Sequence, residues 1–207
     1  MSRLRTAVVI AALAALLGTS ACGSPETSPE TTSQGSSMST SEYSTLDAAG
    51  VDSIRQNLEA KLDMTSGKLV KSQVGLTGES FGPEINTQDT GLISLTIDGP
   101  DGRLQAETDR IRFNTTAARE DFSVVTYFLT ATSAEDYFAL IRDGVKQYGI
   151  DADDAERWIA STEADPAKET SYSLTPGTDI GLEVNYDLRY DGGADTQVII
   201  VNVAPLQ

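Results

Sequence analysis

Apolar residues are spread unevenly along this chain, and their spacing divides it into three parts. Thr6 to Leu17 is almost continuously aliphatic, whereas residues 23–44 hold little besides Met38 and Tyr43 that could enter a core. From 45 to 207 the spacing becomes periodic. Val51, Ile54, Leu58 and Leu62 line one face of an amphipathic helix. Ser44 and Asp47 form a capping-box arrangement at its start, and Gly67 supplies a stop. Runs at Leu69–Leu76, Leu92–Ile97, Leu104–Phe113 and Phe122–Leu129 carry β character. Asp98-Gly99-Pro100-Asp101-Gly102 joins the second and third as a hairpin.

The middle of this region is helical. Thr132 or Ser133 can cap, with Asp136 completing a Ser-x-x-Asp box, Phe138, Ile141, Val145 and Tyr148 repeat at helical spacing, and Gly149 closes the helix. Asp151 caps another helix carrying Ala155, Trp158 and Ile159, with Ile150 placed as a hydrophobic staple. Beyond Pro166 the period returns to two: Ser171–Leu174, Ile180–Tyr190 and Thr196–Val203. Leu182, Val184, Tyr186, Leu188 and Tyr190 alternate with the polar stripe Glu183, Asn185, Asp187 and Arg189, giving one buried and one solvated face. The unbroken run Val198-Ile199-Ile200-Val201 suits a central strand. This order predicts an α+β domain: an antiparallel β-sheet of about 6–7 strands with an N-terminal helix and a central helix pair packed on it. Such a sheet and helix pair can close on a filled core or enclose a pocket.

The N-terminal part has a different logic. Arg3 and Arg5 precede the aliphatic run, and Gly18-Thr19-Ser20-Ala21 follows it, ahead of Cys22. A basic start, a short apolar stretch and small residues before a cleavage point describe an export signal over 1–21, well short of the roughly 18 apolar residues of a membrane span. Ser20-Ala21-Cys22 resembles the lipobox of bacterial lipoproteins, with Thr19 departing from the usual large aliphatic residue. The resemblance implies that Cys22 is lipidated and that the mature chain is held on the extracytoplasmic face of the cell membrane. Plain secretion with a free Cys22 is the alternative. Residues 22–44 then read as the anchor and a Ser/Thr/Pro-rich linker with a reach of roughly 25 Å. Residues 45–207 form a single domain.

Composition narrows the chemistry. The formal net charge is −16, which argues against nucleic acid and against flat contact with anionic lipid headgroups. Histidine is absent and Cys22 is the lone cysteine. That removes Ser-His-Asp and Cys-His catalysis, His-based metal sites and thiolate clusters. No phosphate loop or nucleophile elbow occurs, and nothing calls for a cofactor or a metal. Asp151, Asp153 and Asp154 are spaced so that they could hold Ca²⁺, but helix capping is the simpler account, as turn chemistry is for Asp98 and Asp101. Tyr127, Tyr137, Tyr148 and Trp158, among further aromatics of the central third, are candidates for a ligand cleft or partner surface, although their spacing also suits a core.

Thr132-Ser133-Ala134-Glu135-Asp136-Tyr137 with Lys146-Gln147-Tyr148-Gly149 resembles small lipoproteins of mycobacteria and their relatives, including the LppA-like group. The resemblance covers under a fifth of the chain and implies a fold expectation, not an activity. Two functions are expected from the whole. One is a membrane-anchored, non-catalytic interaction module of the cell envelope, contacting an envelope protein or lipid. The other is a carrier of a lipid or small apolar ligand in a cavity between sheet and helices.

Overall fold

The computed structural model describes residues 42–207. The expected signal segment, Cys22 and the linker as far as 41 lie outside the described residues. In chain order the elements are α1 (Ala48–Asn57), β1 (Glu59–Asp63), a 3-10 turn (Lys71–Val74), β2 (Glu84–Asn86), β3 (Ile93–Asp98), β4 (Arg103–Thr108), β5 (Arg110–Asn114) and β6 (Val124–Ala131). They continue with α2 (Ala134–Tyr148), α3 (Ala152–Ala164), β7 (Thr170–Ser173), β8 (Glu183–Tyr190) and β9 (Gln197–Ala204). The fold is α+β, with an N-terminal helix and a helix pair. A six-stranded antiparallel sheet runs β2–β5–β6–β9–β8–β7, and a second sheet runs β1–β3–β4 with β1 and β3 parallel.

Local chemistry explains most element ends. The Asp47 carboxylate accepts the Gly50 N–H at 2.8 Å and starts α1. Ser133 Oγ accepts the Asp136 N–H at 3.1 Å, and Gly149, at φ 73°, donates to Val145 O to end α2. Asp151 accepts the Asp154 N–H at 2.7 Å at the head of α3. β9 lies inside the large sheet with strands on both sides, as its apolar run anticipates. The β3–β4 hairpin closes through Gly99 N–H to Gly102 O at 2.8 Å.

Three elements depart from the expected pattern. The first helix does not reach Leu62. It stops at Asn57, because Leu58 turns left-handed (φ 54°) and donates its N–H to Ile54 O. Ala60 and Leu62 then alternate with Glu59, Lys61 and Asp63 as a strand beside β3. A spacing of four between Leu58 and Leu62 fits both periods, and only the distant β3 decides between them.

The run Leu69–Leu76 is not a strand. It holds the 3-10 turn, closed by Gly75 at φ 79°. Lys71 is buried there, its Nζ donating to Gly78 O at 2.7 Å and Thr116 O at 2.9 Å. Leu104–Phe113 breaks at Asp109 into β4 and β5, which belong to different sheets. Thr108 holds the break, its hydroxyl donating to Phe128 O at 2.8 Å and accepting Arg110 N–H at 3.2 Å.

The inner face of the large sheet carries Val125, Tyr127, Leu129, Val184, Tyr186, Leu188, Ile199, Val201 and Val203, all buried. Burying each such side chain fully contributes roughly 1.5–3 kcal/mol. α2 covers this face over β6 and β9, while β4 lies beside β6, so helix pair and small sheet share the cover. The opposite face holds the expected polar stripe, half-buried at Glu183, Asn185 and Asp187 and exposed at Arg189. Residues 42–44 belong to this body: Ser44 N–H donates to Lys61 O at 2.8 Å, Ser44 Oγ accepts Lys61 N–H at 2.9 Å, and Glu42 pairs with Lys61.

Candidate functional site

Where α2 and β4 diverge above the large sheet, a cleft of about 550 Å³ remains. Tyr127 and Leu129 of β6 and Tyr186 of β8 line it from the sheet. Leu140, Asp143, Gln147 and Tyr148 of α2 form one wall, and Ser94, Gln105, Ala106 and Glu107 of β3 and β4 form the other. Leu92, half-exposed, stands at the rim. Strand register brings the two tyrosines together, since Tyr127 and Tyr186 both lie directly opposite Val201 of the intervening β9. Gly144 then lets α2 descend onto Tyr186: a Cβ there would lie 2.7 Å from the ring atoms Cε2 and Cζ.

The cleft's polar groups are unevenly satisfied. Tyr148 Oη donates to Gln105 O at 3.3 Å, bridging the two walls. Tyr127 is completely buried, its hydroxyl is closed off from the cleft, and no group stands in ideal hydrogen-bond geometry to it, the Tyr186 hydroxyl being its interacting neighbour. Burial, then Tyr186 and Tyr148, pushes the Tyr127 hydroxyl well up, and burial likewise raises Tyr186 and Tyr148, with the Asp143 carboxylate adding to both. All three phenols are therefore neutral at physiological pH. Glu107 and Asp143 are exposed and make no hydrogen bond or ion pair among the described residues. Among the described residues no lysine or arginine lines the cleft.

The four aromatic candidates separate into two pairs. Tyr127 and Tyr148 meet in the cleft. Tyr137 and Trp158 join Phe138 and Tyr190 in a buried ring cluster under α2 and α3, with centroids 5.8–6.3 Å apart. Tyr137 Oη accepts Arg189 N–H at 3.0 Å and donates to Val198 O at 3.1 Å, so it secures the last rung of the β8–β9 ladder. Trp158 also borders a cavity of about 120 Å³ with Thr162 and Lys168. Sequence reasoning placed Tyr186 in the core alternation and passed over Gln105, Glu107 and Asp143. Nothing in their local pattern marks them, because three separate elements bring them together.

Of the acidic groups considered for calcium, Asp151 and Asp154 are used internally, and Asp153 stands exposed in the first turn of α3. Asp151 is a helix cap. Asp154 accepts from Arg157 at 2.6 Å, Tyr172 Oη at 2.8 Å, Thr175 N–H at 3.0 Å and Thr175 Oγ1 at 3.1 Å. Burial opposes its ionisation, but these four donors prevail and hold it at about 2. Asp98 is lowered chiefly by its hydrogen bond with Arg103, against burial, with help from Tyr43. Among the described residues no group of three or more Asp, Glu, His or Cys side chains could hold a metal, and no helix is long and apolar enough to cross a membrane. Comparison with protein-family models, curated proteins and solved structures returns no match for this chain.

Proposed function

We propose that this protein is a non-catalytic binding module of the cell envelope that holds a small amphipathic molecule in the cleft between α2, β4 and the large sheet. The observation that carries the reading is the cleft itself, about 550 Å³ between two walls and the sheet, with Leu92, Leu129 and Leu140 beside the Tyr148 and Tyr186 rings. The cleft's volume lies within the range of small-molecule sites, and its mixture of leucines, tyrosines and a few convergent polar groups is the composition such sites use. This favours the carrier reading over docking of a protein on the sheet face.

Native mass spectrometry of the protein purified from its own membrane tests the proposal. A discrete adduct is expected, lost in a Ser94→Trp variant that places a large ring at an exposed position of the cleft lining. Every molecule running at the bare processed mass refutes the reading. Placement at the membrane rests on the sequence around Cys22: Cys22→Ser is expected to release the protein to the medium and abolish fatty-acid labelling, and unchanged labelling refutes the anchor.

A further inference from the structure

We infer that the cleft takes a short peptide in extended form, paired as an added strand along the free edge of β4; this rests on the ligand-cleft reading above and narrows its ligand class. β4 is the last strand of the small sheet, with β3 as its one neighbour. Hydrogen bonds on both sides fix which way its backbone points. Gly99 N–H reaches Gly102 O inside the hairpin, Ser94 N–H turns away toward Leu58 O, and Tyr148 Oη reaches Gln105 O from the cleft side. Backbone direction alternates along an antiparallel pair, and Ser94 lies opposite Glu107 as Thr96 lies opposite Gln105. The N–H and C=O groups of Gln105 and Glu107 therefore point away from β3, on the side of the cleft that both residues line.

The other sheet edges differ. Beside β1, Ser44 N–H already donates to Lys61 O. β2 and β7, at the margins of the large sheet, are three and four residues long. β4 has six residues, and among the described residues Tyr148 Oη, at 3.3 Å, is the one partner of the outward backbone groups of Gln105 and Glu107. That hydroxyl stands where the N–H of an added strand would donate. N–H and C=O groups recurring every second residue, roughly 7 Å apart, are the complement of an extended peptide backbone. A fatty chain offers nothing to meet them. The side chains agree. Directly opposed residues share one face of a sheet, and Ala106 is half-buried between the exposed Gln105 and Glu107. The middle side chain of a tripeptide paired here enters the cleft toward Leu129 and Leu140, while its two neighbours face solvent. The cleft therefore favours an apolar middle residue.

NMR titration of the isotope-labelled full chain with acetyl-Thr-Leu-Thr-amide tests the inference, beside an analogue N-methylated at both threonines and beside 1-octanol. In the expected pairing both threonine N–H groups point at β4, so methylation removes backbone bonds and keeps the side chains. The peptide is expected to bind saturably, once per chain, and to slow amide exchange at Gln105 and Glu107. The methylated analogue is expected to bind about tenfold or more weaker. Gln105→Pro withdraws one outward N–H without touching the β3–β4 ladder, at an edge position where proline is tolerated. It should weaken the peptide roughly three- to tenfold, with circular dichroism checking the fold; if that variant misfolds, the methylated analogue decides alone. If the analogue or the folded variant binds as the parent pair does, or if the peptide shifts residues outside the cleft, strand pairing fails and the cleft reading stands. Saturable binding of 1-octanol in the cleft without binding of the peptide has the same meaning. Absence of saturable binding in the cleft by all three probes removes both readings.

Discussion

Asp154→Asn tests whether one buried carboxylate ties α3 to the segment that follows β7. Asp154 is 4% exposed and takes four hydrogen bonds. The Arg157 side chain is 69% exposed, so solvent screens that ion pair and it contributes little. Asparagine keeps one acceptor oxygen. Turned toward Thr175 it preserves the two bonds there, and its amide then meets Tyr172 Oη, which can rotate to accept. What is lost is the charge on the Thr175 and Tyr172 bonds and the favourable charge in the first turn of α3, together about 2–3 kcal/mol.

Linkage gives a separate figure. A carboxyl held at about 2 against an ordinary 3.8 stabilises the folded state by roughly 2 kcal/mol. Because the folded value is depressed, this contribution is complete above about pH 4 and lost as pH falls to 2. Trp158, the chain's one tryptophan, lies on α3 and reports urea unfolding by fluorescence. The gap between wild type and variant should be about 2–3 kcal/mol at pH 7 and should close substantially between pH 4 and pH 2. A gap under about 0.5 kcal/mol at pH 7, or one that stays constant down to pH 2, refutes the reasoning.

Three other substitutions probe the framework. Lys71→Ala removes a buried stem and leaves the Gly78 carbonyl without its donor, while Thr116 O keeps the Arg119 N–H; a loss of about 2–4 kcal/mol is expected, with faster amide exchange around both positions. Gly144→Ala gains up to about 1 kcal/mol of helix propensity, but overpacking against Tyr186 at 2.7 Å costs about 1–3 kcal/mol, so the melting temperature should fall. Tyr137→Phe withdraws the hydroxyl from Arg189 N–H and Val198 O, and chemical denaturation should show about 1–3 kcal/mol lost with the strand content unchanged.

Signals confined to a few neighbouring residues were legible. Ser133, Gly149 and Asp151 bound the helix pair where their caps require, and the alternation from Leu182 to Tyr190 named the buried face of β8 correctly. Ambiguity arose where one pattern served two periods, as at Leu58 and Leu62, or where a short break carried the decision, as at Asp109. The run from Leu69 failed for another reason: Lys71 reads as a surface residue until Gly78 and Thr116 close over it. Within the candidate site Tyr127 and Tyr148 stood out as aromatics. Asp143 and Glu107 were two acidic residues among 31, and their significance depends on which walls they share.

The sequence by itself determined the α+β class, the helix pair, the central place of β9 and the exclusion of histidine and thiol chemistry from the domain, because periodicity, caps and composition are local or additive properties. Only the tertiary structure decided that a second sheet forms with β1 and β3 parallel, that Tyr137 and Trp158 pack in a core, and that Tyr127, Tyr148, Tyr186, Glu107 and Asp143 line one cleft. Those outcomes depend on strand register and on contacts between residues tens of positions apart, which no local spacing records.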